Sequence, residues 1–137
     1  MKTIIVLALL LALAACQSMS DLRPGDGRKA TVSGKTYDQV WAAAYKVSAE
    51  HFEIREQDEA RGVIVGERTG SAWGGGLGAW VGTYITPTTP RAPVYTVEVV
   101  RRKKWATNAG EQDWEYKVLR DIYRELGLPA LDPSRDP

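Results

Sequence analysis

The first fifteen residues constrain the fold most, because they have the pattern of a segment that is removed before the chain folds. Lys2 is followed by an apolar run from Ile4 to Leu13 and then by two alanines. A charged start, an apolar middle and a small-residue exit are typical of a secretory signal. The exit ends on Cys16, the single cysteine of the sequence. Removing 15 of the 137 residues leaves 122, enough for one domain with one core.

The exit of this segment, Leu13-Ala14-Ala15-Cys16, resembles the lipobox of bacterial lipoproteins. In that family the cysteine receives a diacylglycerol, the preceding peptide is cut and the new amino terminus is acylated. The resemblance implies a lipid anchor on Cys16, no other cofactor, and attachment to a membrane. Gln17 adds a location: in bacteria with two membranes, a lipoprotein whose second residue is not Asp usually goes to the outer membrane. The expected location is therefore its periplasmic face.

Two other interpretations of the same segment remain open. A permanent transmembrane helix is one, although the run from Ile4 to Ala15 is shorter than the roughly 20 residues that cross a bilayer core. An ordinary cleaved signal is the other, and it would leave a free thiol at Cys16.

The charge of the remaining chain is balanced, since 17 basic residues face 17 acidic ones once Lys2 is removed. Total charge therefore gives no reason to expect nucleic acid as a partner. A lipid on Cys16 also leaves no thiol for a disulfide, so stability must come from packing. Five tryptophans and six tyrosines supply apolar area for it.

Polar, proline-bearing and glycine-bearing sequence flanks a single predicted domain. Residues 16–29 read as a lipidated, flexible tether that could reach on the order of 40 Å if extended. The domain covers residues 30–129, and residues 130–137 read as a disordered tail. The domain's first helix follows a capping box, Thr36 to Gln39, and keeps an apolar stripe from Tyr37 to His51.

Alternating side chains predict four strands after this helix. They begin near Phe52, at Val63, at Ala79 and at Val94, and the basic run Arg101 to Lys104 is placed at the solvent end of the last. A second helix is expected from about Asp113 to Leu126, ended by Gly127 and Pro129. The predicted fold class is α+β: a four-stranded antiparallel sheet with two helices packed on one face, in the order α-β-β-β-β-α. An extra short N-terminal strand, Ala30 to Val32, is an option.

Two further resemblances concern this domain. In its order of elements it resembles the helix-grip domains of lipoproteins in the outer-membrane β-barrel assembly machinery. It also resembles a group of small bacterial lipoproteins in which the final strand leads through Ala106-Thr107-Asn108 to a helix start such as Asp113-Trp114-Glu115. The second resemblance covers most of the mature chain and implies no activity.

The chain offers few residues for catalysis. His51 is the single histidine, no Gly-x-Ser-x-Gly elbow is present, and Cys16 is assigned to lipid. His51 is interpreted as a structural residue that closes its helix near the terminal carbonyls. Asp58-Glu59 and the Glu111-Asp113-Glu115 run look like solvated surface rather than metal ligands. We therefore predict no catalytic residue, no metal site and no small-molecule substrate.

The glycine-rich stretch 70–82 suggests a function instead. Glycine costs roughly 0.5–1 kcal/mol relative to alanine in a regular element, so residues 70–78 are predicted as a loop before the third strand. The residues predicted to bind a partner or the membrane are Trp73, Trp80, Tyr84, Arg101, Arg102, Lys103 and Lys104. The function predicted from them is a non-enzymatic binding or envelope-assembly accessory module. The alternative is a structural lipoprotein that lies on the membrane or oligomerises through a glycine zipper, Gly74, Gly78 and Gly82.

Overall fold

The computed structural model describes residues 19–69, 78–91, 93–104 and 113–132. After a short 3₁₀ turn, Met19–Asp21, these ranges contain five strands and two helices. In chain order they are β1 (Arg28–Ser33), α1 (Tyr37–His51), β2 (Glu53–Asp58), β3 (Val63–Arg68), β4 (Ala79–Pro87), β5 (Val94–Lys103) and α2 (Trp114–Glu125).

The strands form one antiparallel sheet in the order β1-β5-β4-β3-β2. The predicted α+β class is confirmed, but the prediction of four strands is wrong. The optional strand at 30–32 is a full member of the sheet, since β1 pairs with β5 from Arg28↔Val99 to Ser33↔Val94. The sequence gives only a weak strand signal here, because β1 lies at an edge of the sheet and buries only every second side chain, so that the residues between are polar. The order of elements is therefore β-α-β-β-β-β-α.

Both helices begin where their capping residues predicted. Thr36 accepts a hydrogen bond from the backbone N–H of Gln39, whose side chain accepts one from the Thr36 N–H. Asp113 caps α2 by accepting from the backbone N–H of Tyr116. Gly127 then ends α2 with a φ of +65°, as its position after the apolar stripe predicts.

The core lies between the two helices and one face of the sheet. It consists of buried side chains from both helices, from β1, β3, β4 and β5, and from the residues beside them: Ala30, Val32, Val40, Ala43, Ala44, Val47, Phe52, Ile64, Val81, Ile85, Val97, Val99, Trp114, Val118, Leu119, Ile122 and Leu126. Because both helices pack into this one layer, they share a face of the sheet, and neither α1 nor α2 covers the opposite face, here called the outer face.

The outer face is crossed instead by residues 19–27, which we call the strap. Leu22 of the strap is buried against Val65 of β3 and Val100 of β5. The prediction of a flexible tether over residues 16–29 is therefore wrong from Met19 onward, because this segment has a buried apolar contact and then becomes β1. Residues 16–18 lie outside the described ranges.

The end of the domain also extends further than predicted. Leu131 packs against the core, and its carbonyl accepts a hydrogen bond from the Tyr116 hydroxyl at 3.3 Å. The predicted disordered tail over 130–137 is thus wrong at Leu131, while residues 133–137 lie outside the described ranges.

Candidate functional site

A groove on the outer face, beside the strap, is the best candidate for a functional site. Its floor consists of Val63, Val65 and Tyr84, which alternate with core-facing residues along β3 and β4. The groove encloses about 560 Å³, within the range of about 300–1,000 Å³ typical of ligand sites.

The two walls of the groove differ in chemistry. The strap wall is mainly apolar and includes Met19, Leu22 and Pro24. The opposite wall is charged: Arg61 binds Asp58 through its Nε at 2.6 Å and Glu56 through its Nη2 at 3.2 Å. An apolar floor with a charged rim resembles the arrangement of protein interfaces, where a dry centre is surrounded by polar groups.

Tyr84 gives the floor its one polar group. Burial raises the pKa of its hydroxyl, and the nearby carboxylates of Glu56 and Glu98 add to the effect. The hydroxyl therefore keeps its proton at neutral pH and can donate a hydrogen bond. Its ring lies close to Gly82, where the Tyr84 hydroxyl would be 2.8 Å from an added Cβ. Glycine at position 82 is what allows the ring to lie against the sheet.

Glu98 of β5 holds the strap in place. Its side chain is buried, and its Oε1 accepts hydrogen bonds from the backbone N–H of Gly25 at 2.6 Å and of Gly27 at 2.9 Å. Asp26, between these glycines, forms a 2.6 Å ion pair with Arg102. The second glycine has no room for a side chain, because a Cβ there would overlap the carbonyl of Val99. The strap is thus fixed by a carboxylate that accepts two backbone donors.

The residues predicted to bind a partner or the membrane do not form one surface. Cys16 and Trp73 lie outside the described ranges. Trp80 and Tyr84 both lie on the outer face of β4, since they are four residues apart in one strand. Tyr84 lines the groove, whereas Trp80 lies four residues away along the strand, under the ammonium group of Lys104, whose Nζ is 4.6 Å from the ring centre.

The basic run is divided between the two faces of the sheet. Its predicted position beyond the strand is wrong, because β5 continues to Lys103, and Arg101 to Lys103 pair with β4 from Val81 to Ala79. The backbone N–H of Arg101 donates to the Glu115 carboxylate at 3.1 Å. Alternation places Arg102 on the outer face and its two neighbours on the helix side.

Three cations of the outer face, Arg55, Arg102 and Lys104, are paired with carboxylates within the chain. Glu67, buried on β3, binds Arg55 through Oε2 at 2.7 Å and Lys104 through Oε1. Arg55 also pairs with Glu53 at 2.9 Å, and Arg102 with Asp26. Two of the four cations that the sequence assigned to an outside partner, Arg102 and Lys104, are therefore paired within the chain.

His51, the last residue of α1, contacts α2. Its Nε2 lies 2.9 Å from Oδ2 of Asp121 on α2, and its ring packs against Phe52 and Trp114. Asp121 also binds Arg120 at 3.0 Å and Arg124 at 3.1 Å.

The contact with Asp121 was missed in the sequence, although a signal exists. Asp121 falls within the apolar stripe of α2, three residues after Val118, and a carboxylate there needs a partner. The only histidine closes the other helix and is the natural candidate.

Both edges of the sheet are protected. On β1 the carbonyl of Thr31 accepts a hydrogen bond from the Tyr123 hydroxyl. On β2 the pairing with β3 shifts between Ile54 and Glu56, which is a bulge in a strand rich in charged residues. Bulges, charges and covering side chains are the usual means of keeping an edge strand from pairing with another chain. A partner strand added to either edge is therefore disfavoured.

The glycine-zipper alternative required a helix across the glycine-rich stretch. The structure places Ala79–Pro87 in strand β4, with Gly82 paired to Val65 on one side and Val100 on the other. Gly82 therefore lies in a strand, as predicted for the residues from Ala79 onward, and not in a helix. Gly74 lies outside the described ranges. Across those ranges no helix is long and apolar enough to cross a membrane, and no group of three or more His, Cys, Asp or Glu could hold a metal ion.

Comparisons with known proteins add little to this description. No known family model matches the sequence, and no curated protein matches it. Among solved structures, the chain is similar to a DUF4468 family protein from Bacteroides ovatus, with 20% sequence identity and a TM-score of 0.40. The match covers 82% of this chain and 94% of the other. A similarity at this level carries no argument about function.

Proposed function

We propose that this chain is a non-enzymatic, lipid-anchored binding module on the periplasmic face of the outer membrane. Its ligand is an apolar segment of an envelope protein, held in the groove on the outer face. The main support for this proposal is the groove, which has an apolar floor of Val63, Val65 and Tyr84 and a charged rim. Lipidation of Cys16 supplies the attachment and follows from the resemblance of residues 13–16 to a lipobox.

The chemistry of the groove defines the segment that fits it. Aliphatic or aromatic side chains would cover the floor, at a gain of about 25 cal/mol for each Å² of apolar surface removed from water. The Tyr84 hydroxyl can donate to a backbone carbonyl of the segment, and Arg61 and Glu56 can bind polar groups beside it. Edge pairing does not contribute, because both edges of the sheet are protected.

Photo-crosslinking in living cells tests the proposal. A benzoylphenylalanine replaces Thr86, which lines the groove, and in a control it replaces Thr31, an exposed outer-face residue of β1 outside the groove. We expect a discrete protein adduct from position 86 and none from position 31. Equal adducts from both positions, or none from position 86 in any growth phase, would show that the groove does not bind a protein.

A charge placed on the floor gives an independent test. Val63→Glu should remove the adduct from position 86, because a carboxylate would lie among apolar side chains of the ligand. Thr31→Glu is the matched control, since it adds the same charge outside the groove and should leave the adduct intact. Thermal unfolding of both variants shows whether the fold is retained. An undiminished adduct in a folded Val63→Glu protein would contradict an apolar ligand.

A further inference from the structure

The charges beside the groove define its ligand more closely. We infer that the apolar segment bound in the groove carries a basic side chain, which faces β2 and binds the carboxylates of Glu56 and Asp58. The segment is thus apolar toward the strap and cationic toward β2. The inference rests on the proposed binding of a protein segment in the groove, and it adds the charge of that segment.

Strand pairing places two carboxylates directly beside the apolar floor. Glu56 lies opposite Val65 in the pairing of β2 with β3, and Asp58 lies opposite Val63. Residues opposite each other in antiparallel strands point to the same face of the sheet, with Cβ atoms about 5 Å apart. Both carboxylates therefore stand on the outer face, one beside each valine of the floor.

Arg61 does not neutralise this side of the groove, because it is shared by both carboxylates. Its Nε is 2.6 Å from Asp58, and its Nη2 is 3.2 Å from Oε1 of Glu56. The Glu56 side chain is 41% exposed, so its other carboxylate oxygen can accept a hydrogen bond from an incoming cation. An incoming anion would instead meet a guanidinium that two carboxylates already bind.

Both walls of the groove carry more acidic than basic side chains. The strap and the opposite wall, residues 56–61, together hold five acidic side chains and two basic ones: Asp21, Asp26, Glu56, Asp58, Glu59, Arg23 and Arg61. Arg102, which pairs with Asp26, is balanced by the buried carboxylate of Glu98 on the same strand. The chain from Cys16 onward has 17 basic and 17 acidic residues, so the negative excess is local to the groove.

Tyr84 shows the sign of the electrostatic potential at the floor. Burial is the largest cause of its raised pKa, and the carboxylates of Glu56 and Glu98 raise the pKa further, while Arg102 opposes them. The same two carboxylates that disfavour a phenolate favour a cation near the hydroxyl. An apolar floor in a negative potential suits a basic, apolar segment, since complementary charge speeds association and excludes wrong partners.

Photo-crosslinks from position 86 in living cells test the charge of the segment. Benzoylphenylalanine at position 86 is combined with Glu56→Lys, with Glu56→Gln or with the matched control Glu50→Lys, which makes the same change at an exposed residue of α1. We expect the protein adduct to fall severalfold in Glu56→Lys, because like charges then meet, and to fall less in Glu56→Gln. Glu50→Lys should leave it unchanged. Thermal unfolding of the purified proteins shows which variants are folded.

The crosslinked segment itself gives a second test. Mass spectrometry of the adduct identifies the segment, and we expect a lysine or arginine within a few residues of the crosslink. Changing that residue to glutamate should remove the adduct with the wild-type groove and restore it with Glu56→Lys.

The outcomes separate the charge of the ligand from its binding. A crosslinked segment with acidic residues and no basic ones, or an undiminished adduct in every folded variant of position 56, overturns the basic character of the ligand and leaves binding in the groove intact. Lipid adducts alone from position 86, or no adduct with the wild-type groove, overturn both.

Discussion

Glu98 shows how one buried carboxylate can fix a segment of nine residues. Glu98→Ala leaves the N–H groups of Gly25 and Gly27 without their acceptor, and hydrogen bonds to charged groups contribute about 1.5–3 kcal/mol each. Because both glycines are partly accessible to water, we expect the free energy of unfolding to fall by about 1–3 kcal/mol in total. Urea denaturation measures the change.

Two further variants show whether the strap itself is what Glu98 stabilises. Glu98→Gln keeps an acceptor oxygen and should cost less than the alanine variant. Glu50→Ala, an exposed glutamate of α1, should cost little. Limited proteolysis should cut the Glu98→Ala protein first within residues 19–27. Cleavage elsewhere, with the strap intact, would mean that Glu98 stabilises another part of the chain.

Asp121 gives the domain an acid-sensitive contact. Burial alone would raise its pKa, but hydrogen bonds from His51 and Arg120 and the charges of Arg120 and Arg124 outweigh burial and lower it. A carboxylate with a lowered pKa in the folded state stabilises the fold above its unfolded pKa of about 3.9. That stability is lost as the pH falls through the lower, folded value. We therefore expect Asp121 to contribute fully at pH 7 and progressively less below about pH 4.

The measurement for Asp121 is the free energy of unfolding against pH in the wild type and in Asp121→Asn. The variant should be less stable at pH 7, and the two curves should converge in acid. Glu115 acts in the opposite sense, because burial raises its pKa in the folded state. Its contribution to the free energy of unfolding therefore grows as the pH falls. Glu115→Gln therefore serves as the contrasting variant. Parallel curves for wild type and Asp121→Asn would show that Asp121 has the same pKa in both states.

At the scale of single elements, Gly66 of β3 and Gly82 of β4 differ in what a side chain would meet. A Cβ at Gly66 would lie 2.5 Å from the Cβ of Phe52, in the core and close to the backbone. At Gly82 it would meet the outer end of the Tyr84 ring, which can rotate away. Overpacking a core costs typically about 1–3 kcal/mol, so Gly66→Ala should destabilise the fold by about that amount.

Gly82→Ala should lower the free energy of unfolding less than Gly66→Ala does. It should disturb binding in the groove more, because it displaces Tyr84 from the floor. Thermal unfolding compares the stability of the two variants. The crosslink from position 86 reports the state of the groove in each. A larger loss of stability in Gly82→Ala than in Gly66→Ala would contradict the packing described here.

The elements that the sequence predicted well are those with local signals. The capping box at Thr36, the glycine at 127 and the alternation from Val94 to Val100 each depend on neighbouring residues. β1 and the strap depend on distant ones: Leu22 on Val65 and Val100, and the two strap glycines on Glu98, more than 70 positions away. Pro, Gly and Asp in residues 20–27 look like a linker because nothing nearby in the sequence shows the surface that they cover. The groove was missed for the same reason.

For the whole molecule, the strap joins the proposed anchor to the core. A chain beginning at Met19 keeps Leu22 on the outer face, whereas one beginning at Arg28 exposes Val65 and Val100 to water. Fully burying a leucine side chain contributes about 1.5–3 kcal/mol, so the shorter chain should be less stable by at least that amount. It should also bind more of the dye ANS than the longer chain does, because Val65 and Val100 are newly exposed. Urea midpoints and dye fluorescence of the two chains measure the difference.

The same pair of chains separates a structural role of the strap from its role in the groove. Without residues 19–27 the groove loses its apolar wall, so a purified partner segment that binds the longer chain should not bind the shorter one even at temperatures where both are folded. Leu22→Ala in the longer chain is the intermediate case, since it keeps the hydrogen bonds to Glu98 and removes one buried side chain. If the shorter chain binds as tightly as the longer one, the strap only stabilises the sheet, and the ligand must contact β3 and β4 alone.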